Sequence, residues 1–201
     1  MSALQRRDQL IDVSREIFAE RGFDATSIEE IAQAAHISKP VVYEHFGDKE
    51  SLYAIVVDRE MTLLMSSMSE ALTSDRPRLL LEQAATALFD YIDQRTDGFR
   101  VLLRPHPRGD QHGGTFGTVM REVAEHLTEQ LVGVCKRYGY PTRLAPMYAH
   151  MLVGMVALTG EWWAEVRKPS KEQVITQVVN MAWNGVSGLE RDPVLVTRSR
   201  S

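Results

Sequence analysis

The sequence predicts an all-α fold: an N-terminal three-helix helix-turn-helix domain followed by a larger helical domain. Three observations carry this. Apolar residues recur at three- and four-residue spacing along nearly the whole chain. No segment alternates apolar and polar residues as a half-buried strand does. Cap and breaker residues then cut the chain into helix-length pieces.

The first helix is expected over about residues 5–21, with Leu10, Val13, Ile17 and Phe18 on one side and Gly22 as its stop. Phe23 follows as a core plug. Ser27 caps the second helix, and Glu30 three residues on completes a capping box; Ile28, Ile31, Ala32 and Ala35 form its apolar face. Ser38 is the next N-cap signal, and Pro40 falls in the first turn of the third helix, where a missing N–H costs nothing. There Val42 and Phe46, four apart, pack inward, while Pro40, Val41, Tyr43 and Glu44 project the other way with Lys39 and His45 at the margins.

Asp48 caps a fourth helix through Leu52, Ile55 and Val56 that runs to about Leu72, where Thr73-Ser74-Asp75-Arg76-Pro77 breaks it. A fifth helix is expected over about residues 78–96, ended by Asp97-Gly98, with a short helix through Phe99 to Leu103 after it. Residues 104–114, rich in proline and glycine, read as a loop. Thr115 or Thr118 caps a seventh helix, which Gly139-Tyr140-Pro141 ends. Two last helices span about residues 143–166 and 170–189, the second capped by Ser170; residues 192–201 form a polar tail. The domain division is 1–50, 51–190 and a tail from 191 to 201.

At 201 residues the chain has ample length for a core. A net charge of −4 argues against a protein that coats nucleic acid non-specifically, but leaves room for one basic face. Cys135 is the single cysteine, which suits a reducing compartment, and it reads as a buried small hydrophobe. The first eleven residues lack an apolar secretory core, and the apolar run 151–158 is too short to span a bilayer. The expected location is cytoplasmic, with no membrane partner.

A helix-turn-helix with an exposed second helix is the arrangement that enters the DNA major groove. The candidate phosphate contacts are Tyr43, His45, Lys49 and Thr26 or Ser27 at a helix N-terminus. Ser38, Lys39 and Pro40 form the leading tip; Lys39 can donate to guanine O6 and N7, and Val41 can meet a thymine methyl. Glu44 repels phosphate unless it accepts from cytosine N4, so its contact with DNA stays open, as does that of His36. Over the first fifty residues Lys, Arg and His are outnumbered by acidic residues, so binding requires local sorting of charge.

With these residues laid out, the chain resembles the TetR family of bacterial transcriptional regulators. The likeness rests on Phe18 to Phe23, Thr26 to Ala32, Ile37-Ser38-Lys39, Val42-Tyr43-Glu44-His45-Phe46 and Lys49-Glu50-Ser51-Leu52. It implies a homodimeric repressor on a palindromic double-stranded DNA operator, paired through the last two long helices and released by a small-molecule inducer. His36 stands where the family usually has Gly. If that position needs a positive φ, His costs about 1 kcal/mol more than Gly.

Apolar positions on the last two helices (Met147, Met151, Met155, Leu158 and Trp162; Val174, Val178, Met181 and Val186) suit a four-helix interface between subunits. Candidate ligand-binding residues are Phe89, Phe99, Leu102, Leu103, Met120, Trp162 and Trp163, although aromatic residues at helical spacing also serve as plain core. No cofactor and no metal site is expected; two histidines in the loop over 104–114 are a weak metal signal. The alternatives are a helical enzyme, for which no nucleophile elbow or phosphate loop is present, and a structural DNA-binding protein without a ligand.

Overall fold

The computed structural model describes residues 3–74, 76–104, 116–190 and 193. Among these it contains α1 (Ala3–Arg21), α2 (Ile28–Ala34), α3 (Lys39–Phe46), α4 (Lys49–Ala71), α5 (Pro77–Gln94), α6 (Thr96–Leu103), α7 (Phe116–Tyr138), α8 (Ala145–Val166) and α9 (Lys171–Ser187), and no strand. A short 3-10 turn, Thr142–Leu144, precedes α8. The all-α class is as the spacing predicts. The expected cap at Thr115, most of the 104–114 loop and most of the tail lie outside the described residues.

Several helix ends follow from the residues that mark them. Gly22 ends α1 at φ +82, and its N–H donates to the Phe18 carbonyl at 2.9 Å. Asp48 caps α4 by accepting from the Ser51 N–H at 2.6 Å. Ser170 and Gln173 make a capping box on α9. Thr118, the other candidate cap of the seventh helix, falls inside α7.

One boundary differs from expectation. Asp97-Gly98 does not end the fifth helix; the break comes earlier, at Arg95, and both residues lie in α6. Gly98 is there for packing: a Cβ on it would stand 2.1 Å from Glu60 Oε2.

The contacts group the chain into two compact units. The first, Met1–Thr73 with Ala87–Val119, buries Leu10, Phe18, Ile31, Val42, Leu52, Tyr53, Phe89, Ile92, Phe99 and Leu102 almost completely. In it α1 packs on α2, α4 and α6, and α3 packs on α2 and α4. Phe23 fills its expected place against Phe18 and Tyr53, with ring centroids 6.2 and 5.2 Å away. The second unit, Ser74–Thr86 with Met120–Ser201, has a core of Ala124, Leu131, Cys135, Ala145 and Ala149 along α7 and α8, and α9 packs on α8. Cys135 is buried there.

No helix among the described residues is long and apolar enough to cross a membrane.

Candidate nucleic-acid interface

The candidate interface is the chain from Gly22 to Lys49. Its first turn is held from inside: the buried Thr26 hydroxyl donates to the Gly22 carbonyl at 2.7 Å. Ser27 then caps α2, its Oγ accepting from the Glu30 N–H while the Glu30 carboxylate accepts from the Ser27 N–H at 2.9 Å. Those bonds hold the Glu30 carboxyl below the usual carboxylate range, with Arg21, 2.5 Å away, adding to the effect. From α4, the Lys49 ammonium donates to the carbonyls of Phe23 and Thr26, each at 3.0 Å, and lies 4.2 Å from the Phe23 ring centroid. Thr26, Ser27 and Lys49 therefore all tie down the α1–α2 turn.

The turn between α2 and α3 is a Schellman arrangement. His36 donates from its N–H to Gln33, and Ile37 donates to Ala32 at 2.9 Å. His36 occupies the left-handed position of that motif with φ 55, where glycine is the unstrained residue. Its exposed ring lies beside the start of α3 in sequence.

In α3, Val42 and Phe46 are buried as the spacing predicts. Ser38, Lys39, Pro40, Tyr43 and Glu44 are exposed, while Val41 and His45 are half-buried. Ser38 stands at the N-cap position, but its hydroxyl makes no capping bond. Lys39 donates to the Glu29 carboxylate on α2, and its ammonium lies 5.6 Å from the Tyr43 ring centroid.

A residue with no local signal holds the far end of α3. Arg7, on α1, donates to the His45 carbonyl at 3.0 Å and places its guanidinium 4.6 Å from the Phe46 ring centroid. A cation on these terminal carbonyls also suits the helix dipole. Arg104 does the same for α1, donating to Ala19 and Glu20 at 2.7 and 3.2 Å. Neither role is visible in sequence, because the partners lie 38 and 84–85 residues away.

The ligand candidates fall into different settings. Phe89, Phe99 and Leu102 are buried in the first unit, with Leu103 half-buried beside them in sequence. In the second unit Met120 is half-buried, Trp163 is buried with Nε1 donating to the Pro169 carbonyl at 2.9 Å, and Trp162 is 47% exposed. The described residues contain no cluster of histidine, cysteine and carboxylate side chains suited to a metal ion.

A capped helix-turn-helix whose second helix offers an exposed mixed face defines a DNA-binding regulator. Family comparison agrees. The family model described as "Bacterial regulatory proteins, tetR family" matches residues 10–56, and "Tetracyclin repressor-like, C-terminal domain" matches residues 77–185. The chain is 30% identical over 185 residues to the HTH-type transcriptional activator FasR of Mycolicibacterium smegmatis, covering 91% of this chain and 84% of that protein. A TetR-like regulator from Rhodococcus sp. RHA1 has the same fold, with TM-score 0.76 and 23% identity over 94% of this chain and all of that one. AibR, solved in complex with isovaleryl coenzyme A and operator DNA, superposes with TM-score 0.70 and 20% identity over 88% of this chain and 97% of that one. The chain belongs to the TetR family of bacterial transcriptional regulators.

Proposed function

We propose that the protein is a cytoplasmic homodimer that represses by occupying a palindromic operator and leaves it when a small molecule binds. The observation that carries this is the exposed face of Lys39, Pro40, Tyr43 and Glu44 on a recognition helix fixed at both ends. In this reading Lys39, Pro40, Val41 and Glu44 meet base edges, and Ser38, Tyr43 and His45 meet the backbone. Thr26, Ser27 and Lys49 act one step back, since their polar groups already hold the turn that presents α3.

Residues 1–50 supply DNA reading, and 51–190 supply ligand binding and pairing. Pairing through α8 and α9 is supported by an apolar stripe: Met147, Met151, Leu158, Trp162 and Val166 on α8 and Met181 on α9 are all exposed. The spacing of Met147, Met151, Leu158 and Trp162 puts them on one helix face. One helix-turn-helix also reads too few bases for an operator. We place Trp162 on this pairing face and take buried Phe89, Phe99 and Leu102 as the first residues to test for ligand contact.

The ligand class we favour is an acyl coenzyme A, because AibR was solved with one. Its effect on DNA is limited to its differential affinity for the bound and released conformations. The name of FasR favours a second reading, in which the bound protein activates transcription. The test is a mobility shift on DNA flanking the protein's own gene, with a salt titration and an acyl-CoA panel, paired with in vitro transcription. Repression predicts a specific complex that blocks transcription and dissolves with one ligand. A complex that raises transcription selects the activator reading, and no specific complex at moderate salt contradicts both.

A further inference from the structure

Glu29 and Glu30 are neighbours on α2 with different tasks. Glu30 completes the capping box and receives Arg21. Glu29 takes no part in that cap; it is exposed, and its carboxylate accepts from the ammonium of Lys39, the first residue of α3. The pair titrates as an ion pair should: the hydrogen bond from Lys39 holds the Glu29 carboxyl below its usual range, and the bond to Glu29 keeps the Lys39 ammonium charged beyond its own. The Tyr43 ring flanks the same ammonium.

We infer that Glu29 is a specificity-determining positioning residue, which holds Lys39 so that its ammonium addresses a guanine edge rather than a phosphate. This rests on the proposed base-reading role of Lys39. A lysine ammonium has three N–H donors. With one committed to Glu29, two remain, matching the O6 and N7 acceptors of guanine. The carboxylate also cancels the charge that draws an ammonium to phosphate, and it repels any phosphate that comes close. Guanine carries no net charge, so its acceptor edge is repelled less than a phosphate is. The acidic residue beside the reading helix therefore weakens sequence-independent contact at this point and spares the base contact.

The test is selection from a random duplex library with wild type, Glu29→Gln and Lys39→Met, followed by titration on the selected operator and on unrelated DNA at several salt concentrations. Glu29→Gln should lose guanine preference at one position in each half-site, the position that Lys39→Met also loses, and keep the others. Its affinity for unrelated DNA should rise about two- to fivefold, the range of an exposed ion pair. The salt slope on that DNA should steepen by about one. In a Lys39→Met background the Glu29→Gln change should leave the base preference unaltered and raise non-specific affinity by less than it does in wild type, since only the direct repulsion of phosphate is then relieved. Retained guanine preference in Glu29→Gln would overturn the inference, as would an equal rise in non-specific affinity without Lys39. Both substitutions are at exposed positions, so the variants should melt with wild type. If wild type itself enriches no sequence, the operator reading falls and this inference with it.

Discussion

Arg95 closes on Glu60 across 35 residues of chain, its Nε donating to Oε2 at 2.9 Å and its second nitrogen reaching Oε1 at 2.5 Å. Tyr91 donates to the same carboxylate at 2.9 Å, and Arg15 on α1 stands 3.8 Å away. Glu60 is 1% exposed. This buried cluster joins α1, the first helix of the DNA-binding domain, to α4 and to the junction of α5 and α6. Arg104 at the other end of α6 grips the end of α1, so an arginine at each end of α6 fixes its position against α1 or α4.

Arg95→Met should cost about 3 kcal/mol in urea unfolding at neutral pH, because it leaves a buried carboxylate short of its main partner. The cost stays at the low end for a broken buried pair because Tyr91 and Arg15 remain. Burial pushes the Glu60 carboxyl up, but the bonds from Arg95 and Tyr91 and the charges of Arg95 and Arg15 outweigh it and hold it below its ordinary value. A carboxyl lowered in the folded state contributes stability above its unfolded value, about 4.3, and loses it as pH falls through the folded value. The gap between wild type and Arg95→Met should therefore narrow below about pH 4. A gap that stays constant as the pH is taken well below that value would contradict this assignment.

Gly98→Ala should be as damaging as losing Arg95. Its new Cβ would lie 2.1 Å from Glu60 Oε2 and 3.0 Å from the Tyr91 hydroxyl, so the carboxylate must move out of its bonds. Overpacking alone costs about 1–3 kcal/mol, and the displaced charge adds to that. A melting temperature equal to wild type would show that Glu60 has another position available.

The sequence made the DNA-binding end legible because its signals are local. Ser27 with Glu30, Gly22, Pro40 and Asp48 each act within four residues, so their spacing alone identifies them. Glu60, Arg95, Gly98, Arg7 and Arg104 carry no such mark. Asp97-Gly98 looks like a helix stop, yet Gly98 answers to a carboxylate on another helix. The pocket candidates suffer from the same ambiguity: Phe89, Phe99 and Leu102 have the burial of ordinary core, and spacing cannot separate a core ring from one that lines a cavity.

His36→Gly should stabilise the protein by up to about 1 kcal/mol. At φ 55 the side chain is strained, and the relief exceeds the extra chain entropy of glycine only modestly. Chemical denaturation checks this, and a loss of stability would mean that the His36 ring makes compensating contacts.

Leu158→Asp places a charge in the exposed α8 stripe at a residue 68% exposed, so the fold should survive. Sedimentation should then show a monomer, and operator affinity should fall roughly a hundredfold as bivalent binding is lost. A variant that remains dimeric would move the pairing surface elsewhere.

Sequence selection with the wild-type chain is the most direct test of the claim that two recognition helices read one operator. It should enrich a palindrome whose half-sites lie about one DNA turn apart, near 34 Å, or a multiple of that. Enrichment of a single unpaired half-site, or of no sequence, would contradict it.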